Sequence, residues 1–363
     1  MKKQPIKIYS LQDADPKTLE GITVAVIGYG NQGRAQALNL RDSGVKVIVG
    51  NRSDDYREQV QVDGFGVFDI PVAVMQAQVI MLLIPDEVLP SVFEKQIRPN
   101  LKPGDALVFA SGYNVAFDQI SLTKDVDALL LAPRMIGVGV RERYLNGDGF
   151  FCLIGVHQDA SGGARQKILA LTQAVSGFYK PAIEVTFKQE AILDLFNEQA
   201  FGPAFGQVLL NSISVLLEMG LPPEAVLVEM YMSEEMAYTY RKMAQVGLVK
   251  QTLFHSPTSQ YGAMSRGVRF LGMGLKEKMR KIYGEIDSGT FAREWQSPIS
   301  RLKFKVIRFF AMRQWINAVE AQVRKSLGLK DVDVYETPAD IEDILKDPDI
   351  QAELEGFEDM FEF

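Results

Sequence analysis

The sequence has little cysteine, little histidine and no excess of positive charge. One cysteine, Cys152, and two histidines, His157 and His255, occur among 363 residues. A single cysteine excludes an intrachain disulfide framework and a cysteine metal cluster. Cys152 lies in the apolar run 150–154, where a small buried side chain is expected rather than a catalytic thiol. The formal net charge of -7 indicates no basic surface for nucleic acid or for an anionic membrane.

Long hydrophobic runs are also scarce. The basic N-terminus, residues 1–7, lacks the apolar stretch of a signal peptide, and no segment is expected to reach membrane-spanning length. We therefore expect a cytoplasmic protein that binds neither a membrane nor nucleic acid. An apolar content of 47% is typical of a globular protein, and 363 residues are too many for one ordinary core. Two domains and small-molecule chemistry follow as expectations.

The most informative stretch is Gly28-Tyr29-Gly30-Asn31-Gln32-Gly33. It follows the β-branched run 22–27, typical of a buried parallel strand, and precedes residues 34–40, which have helical composition and spacing. In such a turn the first glycine permits the bend, the second admits a pyrophosphate, and the third lets the helix pack on the strand. The free N–H groups at the helix start bind the phosphates. The stretch predicts a dinucleotide site; a tight turn without a ligand is the alternative.

Strand and helix patterns alternate from residue 22 to about residue 185, which predicts an α/β fold with a doubly wound parallel sheet. The candidate strands span residues 24–28, 45–50, 79–85, 106–111, 129–133 and 150–156. Ligands of such sheets bind beyond the carboxyl ends of the strands. The residues expected to carry function are therefore 28–33, 51–55, 85–87, 111–114 and 133–135.

The rest of the chain has a different pattern. Long apolar-periodic segments, typical of helices, run over residues 189–219, 223–243, 261–288 and 298–327. Beyond them, acidic residues recur without a period. We predict a dinucleotide-binding domain at 1–185, a helical domain at 186–330 and a loosely ordered acidic tail at 331–363.

The residues after the second predicted strand indicate which of the two nicotinamide cofactors is preferred. Arg52 and Ser53 are suited to a 2′-phosphate, whereas Asp54 and Asp55 repel it, and an acid here accepts hydrogen bonds from free ribose hydroxyls. We predict NADH in preference to NADPH, with Asp55 as the main determinant. The other predicted cofactor contacts follow later strands: Pro85, Asp86 and Gly112.

Five stretches together resemble one known family. They are residues 28–44, 83–87, 158–162, 194–199 and 286–295. On these stretches the chain resembles the short, class I ketol-acid reductoisomerases over nearly all of residues 5–330. The resemblance implies a Rossmann domain followed by an all-helical, knotted domain through which two chains pair. It also implies Mg²⁺-dependent alkyl migration in a 2-hydroxy-2-methyl-3-oxo acid, followed by reduction with a nicotinamide hydride.

Two carboxylates suggest a metal site. Asp194 and Glu198 are four residues apart, so on a helix both lie on one face, and their oxygens suit a hard cation. A solvated acidic face is the alternative. The resemblance implies Glu229 as a further ligand from the partner chain, and thus Mg²⁺ at Asp194, Glu198 and Glu229. Glu190, one turn before Asp194, extends the acidic face and is suited to support water or metal.

Other positions differ from the pattern that the resemblance implies. Ser111 stands for a histidine, Arg134 for a lysine and Ser233 for an acid of the partner chain. Arginine does not tune its pKa to move a proton, but its planar fork suits a carboxylate. We therefore predict that Arg134 binds the substrate carboxylate, with Ser111 nearby, and the resemblance implies Ser256 as a second contact to that carboxylate. The predicted catalytic residues are Asp194, Glu198, Glu229 and Arg134.

Three functions remain in view. The first is an NAD(P)H-dependent reductase of a 2-oxo or 2-imino acid that has lost alkyl migration, since the acid at Ser233 is missing. The second is an authentic Mg²⁺-dependent ketol-acid reductoisomerase of isoleucine and valine biosynthesis. The third is a non-catalytic nicotinamide-binding protein. Each is expected to form a homodimer or a higher homo-oligomer.

Overall fold

A single mixed sheet organises the N-terminal part of the chain in the computed structural model, which describes residues 6–329. Its strands are β1 (Ile8–Tyr9), β2 (Thr23–Ile27), β3 (Lys46–Gly50), β4 (Gly66–Phe68), β5 (Val79–Leu82), β6 (Ala106–Phe109), β7 (Asp127–Pro133), β8 (Cys152–Gln158) and β9 (Ala182–Glu184). Their spatial order is β1-β9-β8-β7-β6-β5-β2-β3-β4. Strands β4-β3-β2-β5-β6-β7 are parallel neighbours in the order of a Rossmann fold.

The α/β fold class predicted from the sequence is confirmed, but the sheet has three further short strands, β1, β4 and β9, and two reversals of strand direction on its β1 side. Strand β8 pairs with β7 in antiparallel orientation, and β1 pairs with β9 in the same way. Apolar patterning reports the burial of a strand and not its direction, so neither reversal has a signal in the sequence. Cys152, the first residue of β8, is buried, and burial raises the pKa of its thiol to about 12. The expectation of a structural thiol is confirmed.

Helices cover both faces of this sheet. They are α1 (Asn31–Asp42), α2 (Tyr56–Val62), α3 (Ile70–Gln76), α4 (Leu89–Val92), α5 (Tyr113–Ala116), α6 (Gly137–Leu145), α7 (Ala164–Ser176) and α8 (Phe187–Phe196), with a π-helical turn at Phe93–Ile97 and 3-10 turns at Leu11–Asp13, Pro16–Leu19 and Arg98–Asn100. Val24 and Val26 of β2 belong to one apolar cluster, and the alternate residues Ala25 and Ile27 belong to the other. Burial on both faces explains why this strand is apolar from Val24 to Ile27.

The chain divides into two compact units between Leu195 and Phe196, and the second unit is helical, as predicted. Its elements are a π-helical turn (Asn197–Phe201), α9 (Gly202–Glu218), α10 (Pro223–Leu227), a second π-helical turn (Val228–Met232), α11 (Glu235–Val246), α12 (Pro257–Gly267), α13 (Leu275–Asp287), α14 (Thr290–Gln296), α15 (Pro298–Ala311) and α16 (Trp315–Ser326), with 3-10 turns at Lys250–Phe254 and Val268–Phe270. The predicted segments 223–243 and 261–288 are interrupted, since Glu234 and Gly274 adopt φ of +59° and +69°. The predicted tail, 331–363, lies outside the described residues.

One helical run differs from expectation in length. Phe187–Glu218 is continuous and, by length and composition alone, apolar enough to cross a membrane. The expectation that no segment reaches this length is therefore wrong. Only 11% of its most apolar window is buried within the chain, and its first half carries Glu190, Asp194 and Glu198. Acidic residues are rare in membrane-spanning segments.

Candidate active site

The turn after β2 depends on close backbone packing. Gly28 has φ +93°, a conformation that favours glycine, and its N–H donates to the carbonyl oxygen of Gly50 at 2.9 Å. A Cβ on Gly33 would lie 2.1 Å from the carbonyl oxygen of Gly28, too close for any side chain. A Cβ on Gly30 would meet nothing within 4 Å. Gly33 therefore allows α1 to pack closely against the backbone of Gly28, whereas Gly30 leaves open space at the start of α1. This is the arrangement expected of a pyrophosphate-binding turn.

Residues 29–32 contribute to this turn in different ways. Gly30 is the N-cap of α1 and has no side chain to bind the first N–H groups, which include those of Asn31 and Gln32. The Gln32 Nε2 donates to the Met135 carbonyl oxygen at 2.9 Å, which joins the turn to the segment after β7. Tyr29 is buried, and its hydroxyl is used in the hydrogen bond to Asp63. The predicted phosphate site is thus a backbone site.

Asp63, which follows α2, holds the glycine turn in place through side-chain hydrogen bonds. Its carboxylate accepts hydrogen bonds from the Tyr29 hydroxyl at 2.8 Å and from two guanidinium nitrogens of Arg34 at 2.7 and 3.0 Å. The hydrogen bonds from Arg34 are the main cause that lowers the pKa of Asp63. Sequence reasoning missed Asp63, because no local motif distinguishes it from the other acids of the chain.

The loop between β3 and α2 is organised by Asp54. Its Oδ1 accepts from Asn51 Nδ2 at 2.7 Å and its Oδ2 accepts from Arg52 Nε at 2.7 Å. Asp55 is exposed, as is Ser53. The arrangement leaves the Asp55 carboxylate accessible to a ligand at the carboxyl end of β3, while Asp54 is used to hold the loop.

The ends of β5 and β6 are joined by a side-chain hydrogen bond. Asn114 Nδ2 donates to Asp86 Oδ1 at 2.8 Å, and Pro85 is exposed beside it. Ser111 Oγ accepts from the Tyr113 N–H at 3.2 Å, so its hydroxyl shapes the turn into α5. These residues border the same sheet edge as the glycine turn, where the predicted cofactor contacts belong.

Arg134, directly after β7, bridges two carboxylates of α8. Its Nη1 lies 3.1 Å from Glu190 Oε1, and its Nη2 lies 2.6 Å from Asp194 Oδ1. The other Glu190 oxygen, Oε2, accepts from the Gly112 N–H at 2.6 Å. Glu190 is 1% exposed, whereas the side chains of Arg134 and Asp194 are 31% and 33% exposed. The partly exposed guanidinium of Arg134 thus lies at the carboxyl end of β7.

The position of Glu190 changes its acidity. Burial raises the pKa of Glu190 to about 7, and nearby Asp194 and Asp86 act in the same direction, against the Gly112 N–H and Arg134. Sequence reasoning placed Glu190 in a supporting role from its spacing to Asp194, but missed its bonds to Gly112 and Arg134. Those bonds join β6, β7 and α8, and no local pattern reports them.

Glu190→Gln should flatten the pH dependence of stability. A carboxyl group whose pKa rises on folding stabilises the protein fully below its ordinary pKa of 4.5, and loses this contribution as pH rises through about 7. Between pH 4.5 and 8 we expect wild type to lose on the order of 3 kcal/mol more than the variant. Urea unfolding at a series of pH values measures this difference, and equal slopes would refute it.

Glu184→Gln provides a control of opposite sign. Hydrogen bonds from Arg165 lower the pKa of Glu184 to about 2, so its contribution is present above pH 4.5 and lost as pH falls. This variant should differ most from wild type near neutral pH, and the difference should vanish in acid. The same urea titrations measure it.

The other predicted site residues belong to the second unit. Glu198 and Glu229 are exposed and lie on the π-helical turns Asn197–Phe201 and Val228–Met232. Such turns are frequent at functional sites. Ser256 is the N-cap of α12, where its Oγ accepts from the Ser259 N–H at 3.3 Å. The segment carrying Glu198 is therefore not the regular α-helix that the spacing predicted.

No group of three or more His, Cys, Asp and Glu side chains within residues 6–329 is placed to hold a metal ion. Mg²⁺ at Asp194, Glu198 and Glu229, the last from the partner chain, stays a prediction.

Comparison with known proteins assigns both parts of the chain. The family model "Acetohydroxy acid isomeroreductase, NADPH-binding domain" matches residues 18–180, and "Ketol-acid reductoisomerase, C-terminal domain" matches residues 187–328. A putative ketol-acid reductoisomerase 3 from Saccharolobus solfataricus is 42% identical over 287 residues, which are 78% of this chain and 86% of the relative. A ketol-acid reductoisomerase (NADP(+)) from Pyrobaculum islandicum is 39% identical over 88% of this chain and 98% of the relative.

A solved structure extends the match to three dimensions. An NADH-preferring ketol-acid reductoisomerase from an uncultured archean superimposes with a TM-score of 0.83 at 35% identity, covering 88% of this chain and 98% of that one. Both domains, the order of elements and the glycine turn agree with this assignment. The chain therefore belongs to the ketol-acid reductoisomerase family and is an NAD(P)H-dependent oxidoreductase.

Proposed function

We propose that this enzyme transfers a hydride to a 2-oxo or 2-imino acid without a preceding alkyl migration. The hydride adds to C2 and a proton adds to the oxygen or nitrogen, which yields a 2-hydroxy or 2-amino acid. The observation that carries the proposal is the Arg134 guanidinium, which lies beyond β7 and is partly open. Arginine holds its charge and does not shuttle protons at neutral pH, so it favours binding over isomerisation.

Arg134 has donors to spare for a substrate. A guanidinium carries five N–H groups, and the bonds to Glu190 and Asp194 use two of them. The remaining N–H groups of the guanidinium are enough to bind one carboxylate in a planar, charge-assisted contact. Ser111 and Ser256 remain the further predicted contacts, and binding energy at the carboxylate orients C2 toward the nicotinamide.

An authentic ketol-acid reductoisomerase is the second candidate. It is favoured by the relative from Pyrobaculum islandicum, of which the alignment covers 98% at 39% identity. In that case Asp194, Glu198 and Glu229 would bind Mg²⁺, and the chain would act in branched-chain amino-acid biosynthesis. The third function, a non-catalytic nicotinamide-binding protein, is set aside because the chain belongs to an enzyme family.

Cofactor oxidation followed by absorbance separates the two candidates. The panel contains 2-acetolactate, simple 2-oxo acids and cyclic imino acids, each with and without Mg²⁺. We expect oxidation with a 2-oxo or imino acid and none with 2-acetolactate. Mg²⁺-dependent turnover of 2-acetolactate would overturn the first proposal and establish the second.

We further propose NADH as the preferred cofactor. The exposed Asp55 carboxylate is suited to accept hydrogen bonds from the two ribose hydroxyls and to repel a 2′-phosphate. The two cations nearest to it in sequence, Arg52 and Arg57, are paired with Asp54 and Asp69. A structural relative is described as NADH-preferring, whereas the relative from Pyrobaculum islandicum is named for NADP(+).

Asp55→Ser should shift the cofactor preference toward NADPH by about tenfold or more, equivalent to about 1.4 kcal/mol. The ratio of dissociation constants for NADPH and NADH, from fluorescence titration, measures the shift. Glu58→Gln removes an exposed acid one turn further on and should leave the ratio within about twofold. A tenfold preference for NADPH in wild type would refute the NADH proposal.

We propose that a second copy of the chain covers an exposed apolar stripe that runs from the π-helical turn Asn197–Phe201 along α9 to its C-cap, Met219. The stripe consists of Phe201, Phe205, Val208, Val215 and Met219, each at least 39% exposed. Their spacing of three, four or seven residues places them on one helix face. Sedimentation equilibrium should give at least twice the chain mass of 40.5 kDa, and a monomer at micromolar concentration would refute this pairing.

A cytoplasmic location remains our expectation.

A further inference from the structure

The carboxylates at the start of the long helix are already paired with a cation. Asp194 Oδ1 and Glu190 Oε1 both accept from Arg134, and Glu190 Oε2 accepts from the Gly112 N–H. Three of the four oxygens therefore have donors within hydrogen-bond distance. The buried Glu190 carboxylate requires such partners, because an unpaired charge away from water is costly.

Arg134 is held in this position by the sheet. Its backbone N–H donates to the Phe151 carbonyl oxygen at 2.8 Å, immediately after the pairing of Pro133 with Cys152 between β7 and β8. The side chain therefore starts from a fixed point at the sheet edge. Its planar fork reaches two carboxylates one helical turn apart, a span that a single lysine ammonium does not bridge in the same way.

This pairing does not fit Mg²⁺ bound at Asp194. Magnesium requires ligand oxygens at about 2.0–2.1 Å in near-octahedral geometry. An ion bound to the Asp194 carboxylate would stand close to the guanidinium that is 2.6 Å from the same group. Two like charges at such range repel one another, and the Coulomb energy is large where water is partly excluded.

We propose that Arg134 is the resident cation of the Glu190 and Asp194 pair and takes the place of a divalent metal ion there. The inference rests on the proposed function, because it makes Arg134 the positive group that orients a 2-oxo or 2-imino acid. It goes beyond that function in one respect: hydride transfer by this enzyme does not require Mg²⁺.

Manganese binding to the full-length protein without substrate tests the proposal. Mn²⁺ is the probe, and its binding is measured by electron paramagnetic resonance for wild type and for Arg134→Gln. We expect the dissociation constant for Mn²⁺ to be about 1 mM or higher for wild type, and at least about tenfold lower for the variant. Adding Asp194→Asn to the variant should remove the gain. Arg141→Gln, whose side chain pairs with Asp42, is the matched control and should leave Mn²⁺ binding unchanged.

Two results would overturn the proposal. The first is micromolar Mn²⁺ binding to wild type that Asp194→Asn abolishes, a measurement that needs no arginine variant. The second is that the Arg134→Gln variant binds Mn²⁺ no more tightly than wild type, although its thermal denaturation shows that it is folded. Because these measurements use no substrate, their outcome is independent of whether the substrate panel supports reduction without alkyl migration. Retention of reductase activity in EDTA is the corresponding expectation for turnover.

Discussion

Gly33→Ala should lose both stability and cofactor binding. The new Cβ would lie 2.1 Å from the carbonyl oxygen and 2.9 Å from the carbonyl carbon of Gly28. Both are backbone atoms at the end of the buried strand β2, so relief of the clash must displace α1 or the strand. We expect a loss of about 3 kcal/mol or more in unfolding free energy, and NADH binding too weak to detect by fluorescence titration.

Gly30→Ala is the matched control for the same turn. A Cβ at Gly30 meets nothing within 4 Å, and its φ of -72° is open to alanine. Unfolding free energy should therefore change by less than about 1 kcal/mol, while NADH affinity falls at least about tenfold, since the methyl group enters the space reserved for the pyrophosphate. Full affinity in Gly30→Ala would contradict this placement of the cofactor. A Gly33→Ala protein as stable as wild type would contradict the packing argument.

Arg134→Lys should lower kcat/KM by on the order of 100-fold, equivalent to about 2.7 kcal/mol of transition-state stabilisation. The lysine keeps the charge but cannot bridge Glu190 and Asp194 while binding a planar carboxylate, so the effect isolates the guanidinium geometry. Steady-state kinetics with the best substrate of the panel measures the loss. The dissociation constant for NADH should not change.

Arg141→Lys is the control for this prediction. Arg141 forms an ion pair with Asp42 and donates to Asn39 on α1, within the same unit but away from the carboxyl end of β7. Its activity should stay within about twofold of wild type, although its melting temperature falls. If Arg134→Lys also kept more than half of the wild-type kcat/KM, Arg134 would be a structural residue.

The sheet and its ligand-binding edge could be predicted from local patterns. Strand β2 is buried on both faces and is therefore apolar at every position after Thr23, and the glycines that follow meet steric demands within the same turn. The i,i+4 relation of Glu190 and Asp194 is likewise local, so their common face on α8 could be read from the sequence.

Features that depend on distant segments had no such signal. Arg134 and Asp194 are 60 residues apart, and their ion pair exists because β7 and α8 meet. Sequence spacing therefore predicted a metal site at Asp194 and could not reveal an arginine already bound there. The interruption of the helical region at Glu234 was equally invisible, because helix propensity does not report the positive φ that this residue adopts.

The bonds of Asp63 have a practical consequence for loop exchange. Asp63 ties the end of α2 to Tyr29 and Arg34, so the segment that follows loop 51–55 is attached to the glycine turn independently of that loop. Ser53 and Asp55 can therefore be replaced while Asp54 still holds the loop and Asp63 still holds the end of α2. We therefore expect loop exchanges that retain both Asp54 and Asp63 to keep nucleotide affinity, even where the exchange alters the proposed cofactor preference.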